Sequence, residues 1–113
     1  CFQSPLNLLV HKELGLFVSF RGALGLQKKI KLDEFKRYNS PCFDCDEPCL
    51  NSCPVSALTR ESYQESKCKA HISDLVNNEC LSGCLVRRSC PVGKNFRTVE
   101  QSKFLMNKFV KLH

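Results

Sequence analysis

The sequence predicts a small α+β domain with short helices and a C-terminal amphipathic helix. Eight cysteines crowd into residues 42–90, apolar residues alternate at Leu16, Val18 and Phe20 as in a short strand, and apolar residues recur at helical spacing over residues 98–113. With 113 residues the chain has material for one domain and a modest core. We therefore expect metal or cross-links to supplement that core.

Residues 1–40 are predicted to form an apolar N-terminal segment and a charged linker, in which Ile30, Leu32 and Phe35 are expected to anchor an otherwise solvated strand or linker. A helix over residues 14–24 fits its apolar positions nearly as well as the strand does. We expect this segment to pack on the cysteine-rich part or on another part of a larger chain, since the first residue is cysteine and not Met. Ser19, Arg21 and glycines interrupt its longest apolar stretch, so no membrane span is expected.

Residues 41–113 contain the eight cysteines that are the candidate metal ligands. The run from Cys42 to Pro54 reads C-x2-C-x3-C-x3-C-P, and a second group follows with Cys68, Cys80, Cys84 and Cys90-Pro91. Zinc sites usually present two short pairs separated by a dozen or more residues. By contrast, closely spaced cysteines that end in Cys-Pro are typical of bacterial iron-sulfur proteins. Eight cysteines suffice for two [4Fe-4S] clusters.

The spacing also predicts which cysteines share a cluster. In two-cluster ferredoxins the cysteine of each Cys-Pro pair ligates the other cluster. That rule divides the eight into two sets, which are Cys42, Cys45, Cys49 and Cys90 for one cluster, and Cys53, Cys68, Cys80 and Cys84 for the other. The chain has nine cysteines, and this odd number argues against a closed set of disulfides. The remaining one, Cys1, is expected to be a structural or free thiol.

Short elements are expected between and after the cysteines. We predict a single pairing segment over residues 57–63, a helix that begins at Cys68 and ends near Asn77 and Asn78, and a turn over residues 85–89. Thr98 and Gln101 have the form of a capping box that starts the last helix. Its predicted apolar face, which we expect to cover a cluster or the region of Phe17 and Phe20, consists of Leu105, Phe109 and Leu112, widened by Phe104, Met106 and Val110.

The charge balance does not favour nucleic acid. The formal charge is +6, but two oxidised clusters with their thiolates would lower it to roughly +2. The lysines at 28, 29 and 31 lack interleaved aromatics for base stacking. Arg87 and Arg88 are expected to offset cluster charge, and of the three histidines, at 11, 71 and 113, only His71 is placed to touch a cluster.

The motifs PCFDCDEPCLNSCPVSAL, CKAHIS and GCLVRRSCPVG, preceded by ELGLFVSFRGAL, resemble the C-terminal dicluster module of epoxyqueuosine reductases. The chain is also similar to short bacterial ferredoxin-like proteins related to them. The resemblance implies a ferredoxin-like dicluster fold and supports Cys68 as a ligand of the second cluster. The first run has x3 where the reductases usually have x2, and nothing here supplies their cobalamin-binding domain, so their activity is not carried over.

We therefore expect a cytoplasmic, bacterial-type ferredoxin that passes electrons through two [4Fe-4S] clusters to a redox partner protein or domain, with no catalytic residues of its own. Two alternatives stay open. The chain could be the electron-relay part of a larger reductase, or a zinc- or disulfide-stabilised binding module. Metal analysis separates these hypotheses.

Overall fold

A two-stranded antiparallel sheet opens the fold, and α-helices follow it. The computed structural model describes residues 1–32, 38–74, 76, 78–96 and 98–112. Within them the strands are β1 (Phe2–Gln3) and β2 (Leu9–Val10), the α-helices are α1 (Glu65–Ser73), α2 (Leu85–Ser89) and α3 (Val99–Leu112), and 3-10 turns span Pro48–Asn51, Glu79–Ser82 and Lys94–Phe96. The mixed α+β character expected from the sequence is confirmed at this coarse level.

The strands lie earlier than the sequence pattern predicts. Phe2 pairs with Val10, and the Ser4 amide donates to the Leu8 carbonyl at 2.8 Å across a turn in which Asn7 adopts a left-handed φ of 60°. Asparagine tolerates that conformation better than most residues. Residues 17–26 form neither strand nor helix, so both alternatives predicted there are wrong.

The hairpin forms the core together with the cysteine-rich part. Leu6, Val10 and Leu16 pack in one buried cluster with Val86 and with cysteine side chains of the later segments. The Arg87 guanidinium donates to the Leu16 carbonyl and ties α2 to the end of the N-terminal segment. The expectation that the N-terminal segment packs on the cysteine-rich part is therefore confirmed for residues 1–16.

The helices after the first cysteine run differ from prediction in their bounds. An isolated bridge between Leu58 and Tyr63 confirms the pairing segment. The helix predicted to begin at Cys68 begins three residues earlier at Glu65, which forms a 3.0 Å ion pair with Lys69 one turn on, and it ends at Ser73. Asn77, near the predicted end, lies outside the described residues. Where a turn was predicted over residues 85–89, the chain forms the short helix α2.

Helix α3 has the predicted start but a different buried face. The Thr98 amide donates to Gln101 Oε1 at 3.2 Å and the Gln101 amide donates to Thr98 Oγ1 at 3.1 Å, which confirms the capping box. Ser102 and Met106 are buried and Phe109 is half-buried, whereas Leu105 is exposed. Phe104 and Val110 are also exposed, and the Leu112 side chain and His113 lie outside the described residues.

The docking site of α3 explains the change of face. The helix packs against the 3-10 turn Glu79–Ser82. An added Cβ on Gly83 would lie 2.5 Å from Ser102 Cβ, so the absence of a side chain at Gly83 allows the close approach that buries Ser102. The helix thus packs on the segment that carries Cys80, while Phe20, its alternative predicted partner, is exposed.

Replacing Thr98 with alanine is expected to destabilise the chain by about 1 kcal/mol, because the Gln101 amide loses its cap. Urea unfolding followed by circular dichroism measures the change. Lys103→Ala, on the exposed face of the same helix, serves as the control and should change stability by less than about 0.5 kcal/mol. Equal effects of the two changes would show that the capping box contributes nothing.

Residues 19–32 are exposed throughout and form no helix or strand. The prediction that Ile30 and Leu32 anchor this linker is wrong, because both side chains lie in solvent. Phe35, the third predicted anchor, lies outside the described residues. Among the helices of the described chain, none combines the length and hydropathy that a membrane span requires.

Candidate metal centre

Short helical turns hold most of the eight cysteines. Cys49 and Cys80 lie within 3-10 turns, Cys68 lies within α1, and Cys84 and Cys90 directly flank α2. Because α2 packs against the 3-10 turn Pro48–Asn51, the downstream cysteines come to lie beside the first run. All nine cysteines of the chain are free thiols in the structure.

The first set of thiols is Cys42, Cys45, Cys49 and Cys90. Burial raises the pKa of the Cys49 thiol above its ordinary value of 9.0, and the other three thiols of the set raise it further. Burial also raises the pKa of Cys42; a hydrogen bond with Ser40 opposes this, and Cys45 and Cys90 add to it. These four cysteines line one recess together with the core side chains Val10 and Leu16.

The second set is Cys53, Cys68, Cys80 and Cys84. Burial raises the pKa of the Cys80 thiol, a hydrogen bond from the Leu85 backbone opposes the rise, and the other three thiols of the set add to it. Burial likewise raises the pKa of Cys68, and Cys84 and Cys53 add to that effect. Across both sets, the pKa is raised for Cys42, Cys49, Cys68 and Cys80. For each of them, the other cysteines that raise its pKa belong to its own set.

The electrostatic influence among the shifted thiols follows the two groups of four that the sequence rule gives, and the cysteines of the first group also line one recess. Each group combines cysteines from distant parts of the chain, since Cys90 joins the first run and Cys53 joins the second group. The binding of an iron-sulfur cluster by either group stays a prediction.

Backbone amides point at sulfurs in both sets. The Glu47 amide lies 3.4 Å from Cys45 Sγ, and the Ala57 amide lies 3.2 Å from Cys53 Sγ. A left-handed residue lies at each place, with Glu47 at φ 53° and Ser56 at φ 49°. Such values are uncommon for residues other than glycine, and strained backbone of this kind clusters at functional sites. Amide donors aimed at sulfur stabilise the negative charge of a thiolate.

Tyr63 is a neighbour of the second set that sequence reasoning missed. Burial raises the pKa of Tyr63 well above its ordinary value, and the thiol of Cys68, with which its hydroxyl forms a hydrogen bond, raises it further. The same hydrogen bond lowers the pKa of Cys68. No spacing rule marks a tyrosine five residues before a cysteine, because the Leu58–Tyr63 bridge sets its position.

Other predicted residues have separate roles. Cys1 is exposed, and the Nδ1 atom of His11 accepts the amides of Glu13 and Leu14 at 3.1 and 3.2 Å in a local turn. Arg87 binds the Leu16 carbonyl, as described above. Arg88, the second predicted counter-charge, lines an open cleft with Ser52, Ser89 and Ser102. A contact of the half-buried His71 ring with a cluster stays a prediction.

Both sets consist of cysteine thiols, which are the ligands of iron-sulfur clusters and of many zinc sites. Within the described residues, no three cysteine, histidine or carboxylate side chains are grouped so that they could hold one metal ion. Two sets of four free thiols with amide donors match the ligands that iron-sulfur clusters use.

Comparisons of the chain with models of protein families, with curated proteins and with solved structures found no match.

In the folded, metal-free chain, iodoacetamide at pH 8 is expected to label Cys1 at least about tenfold faster than Cys49 or Cys80. The thiolate is the reactive form, and burial raises the pKa values of Cys49 and Cys80, so less of each is ionised at that pH than of an ordinary thiol; burial also restricts access of the reagent to both. The difference in labelling rate between Cys1 and the two buried thiols should become smaller as the pH rises through the raised pKa values of Cys49 and Cys80. Peptide mass mapping over time measures the rates, and equal labelling at pH 8 in a chain shown to be folded would contradict the described burial.

Proposed function

We propose that this chain transfers electrons through two [4Fe-4S] clusters, in the manner of a bacterial-type ferredoxin. The observation that supports the proposal best is the grouping of eight free thiols into two sets of four, each drawn from distant parts of the chain. Four thiolates are the ligand set of one such cluster.

The chain's own residues would hold and tune the clusters. A bound [4Fe-4S] cluster supplies a one-electron redox couple. Cys49, Cys80 and Cys90 are buried, which keeps water from these ligands and lowers the local dielectric constant. The amides of Glu47 and Ala57 donate to ligand sulfurs, and hydrogen bonds of this kind favour the more negative, reduced state.

The resemblance to the dicluster module of epoxyqueuosine reductases is part of the proposal. It supports a ferredoxin-like arrangement of the two clusters and a redox partner, which would be another protein or another domain. The same module would serve a larger reductase if a catalytic domain with a cofactor pocket preceded it in the full reading frame. Sequencing that reading frame separates the independent carrier from the relay.

Metal analysis of the chain purified under argon tests the proposal. We expect about eight iron and eight sulfide per chain, a brown colour and broad absorption near roughly 400 nm that dithionite bleaches. The same preparation after chelation provides the control for adventitious iron. Zinc without iron, or a colourless chain that cannot be reconstituted with iron and sulfide, would show that the proposed function is wrong.

A further inference from the structure

Five large apolar side chains between residues 19 and 32 lie in solvent. Their exposed fractions are 67% for Phe20, 93% for Leu24, 63% for Leu26, 58% for Ile30 and 80% for Leu32. Large apolar side chains exposed singly are ordinary, but a continuous row of them marks an interaction surface. Neither the hairpin nor the cysteine sets use this segment, since the buried cluster contains residues only up to Leu16 and from Cys49 onward.

The apolar row carries one sign of charge. All five apolar residues have even numbers, whereas Arg21, Lys29 and Lys31 have odd numbers. Lys28 also has an even number, and the chain bends at residues 27 and 28, so apolar and positive side chains follow one another closely without separating onto two sides. No acidic residue occurs between Glu13 and Asp33, so the charge of these four cations is not compensated within the segment.

Two other occupants fit this surface less well. If two copies paired their segments antiparallel about Leu26, Arg21 would lie opposite Lys31, and like charges opposite each other destabilise such pairs. Nucleic acid would leave the four aliphatic side chains in water, because only Phe20 offers a ring for base stacking.

We propose that residues 19–32 bind the surface of a membrane that carries anionic lipids. The apolar row enters the boundary between headgroups and acyl chains, and the four cations lie among the lipid phosphates and carboxylates. A fluid bilayer accepts an irregular apolar row without requiring a complementary pocket. This proposal is independent of the metal, since the segment carries no cysteine.

Sedimentation of the full chain with vesicles tests the proposal. Vesicles of phosphatidylcholine and phosphatidylglycerol at 3:1 are expected to bind the chain at 50 mM salt. Vesicles of phosphatidylcholine alone, or the mixed vesicles at 500 mM salt, should bind at least tenfold less, because salt screens the attraction of the cations.

Two variants separate the apolar and the charged contributions. Replacing Lys28, Lys29 and Lys31 together with glutamine should weaken binding on the order of 100-fold, since each cation near an anionic surface contributes roughly a fivefold increase in affinity. Leu24→Ser with Leu32→Ser should weaken it at least tenfold by removing apolar side chains from the boundary. Both leucines are exposed, so circular dichroism and thermal unfolding should show an unchanged fold.

The matched control lies on α3, where Phe104→Ser with Lys108→Gln removes another exposed apolar side chain and another cation. This control should retain binding within about twofold. The proposal is wrong if the wild-type chain does not bind the anionic vesicles, or if the control variant loses as much binding as the segment variants. It is also wrong if the leucine pair abolishes self-association or oligonucleotide binding and leaves vesicle binding intact.

Discussion

Cys84→Ala is expected to reduce the iron content of the anaerobically purified chain from about eight to about four per chain. Cys84 belongs to the second set, and a cluster deprived of one of its four thiolates loses its closed ligand shell while the first set keeps all of its ligands. Cys1→Ala provides the control, because Cys1 is exposed and belongs to neither set. It should retain all of the iron.

Double variants test the partition itself. Cys68→Ala with Cys84→Ala removes two ligands of one set and should still leave about four iron per chain. Cys45→Ala with Cys84→Ala removes one ligand from each set and should leave almost none. Iron analysis with electron paramagnetic resonance of the reduced chains counts the remaining clusters. If both double variants retain the same iron, the division into two sets is wrong.

Gly15→Ala is expected to destabilise the folded chain by about 3 kcal/mol. Gly15 has a left-handed φ of +60°, and an added Cβ would lie 2.3 Å from the Val92 carbonyl oxygen, which belongs to backbone and cannot rotate away. Left-handed backbone costs roughly 1–2 kcal/mol for other residues, and overpacking costs roughly 1–3 kcal/mol more. Denaturant unfolding measures the loss.

Gly15→Ala should also change the surroundings of Cys90 in the first cysteine set. The added Cβ would lie 3.2 Å from Cys90 Sγ, so the N-terminal segment would separate from the recess and expose that thiol to alkylation. Gly22→Ala provides the matched control, because a Cβ there meets no atom within 4 Å, and its effect should stay within about 0.5 kcal/mol. A Gly15 variant as stable as the Gly22 variant would contradict the close approach.

The cysteine sets stay a prediction, which rests on short spacings that restrict which sulfurs can converge. Three thiols within eight residues lie near one another in almost any compact turn, and the Cys-Pro rule then assigns the distant partners. The start of α3 could be inferred for a similar reason. Thr98 and Gln101 satisfy each other's amides locally, whatever the helix packs against.

The features that sequence reasoning missed depend on contacts between distant residues. Strands of two residues are too short to show a periodic pattern, so the hairpin left no signal. The buried face of α3 is set by its contact at Gly83, not by its most apolar side. Alternation at Leu16, Val18 and Phe20 predicted a short strand, but residues 17–26 form no strand and Phe20 lies in solvent.

The contact of the N-terminal hairpin with the last cysteine constrains biosynthesis. Leu6 and Val10 share a buried cluster with Cys90, so the hairpin cannot bury its apolar face against that cysteine until some eighty residues after Val10 have been translated. At roughly 5–20 residues per second, that interval lasts several seconds. During it the nascent chain exposes both its hairpin and its unpaired thiols, and chaperones and oxidants compete with productive folding.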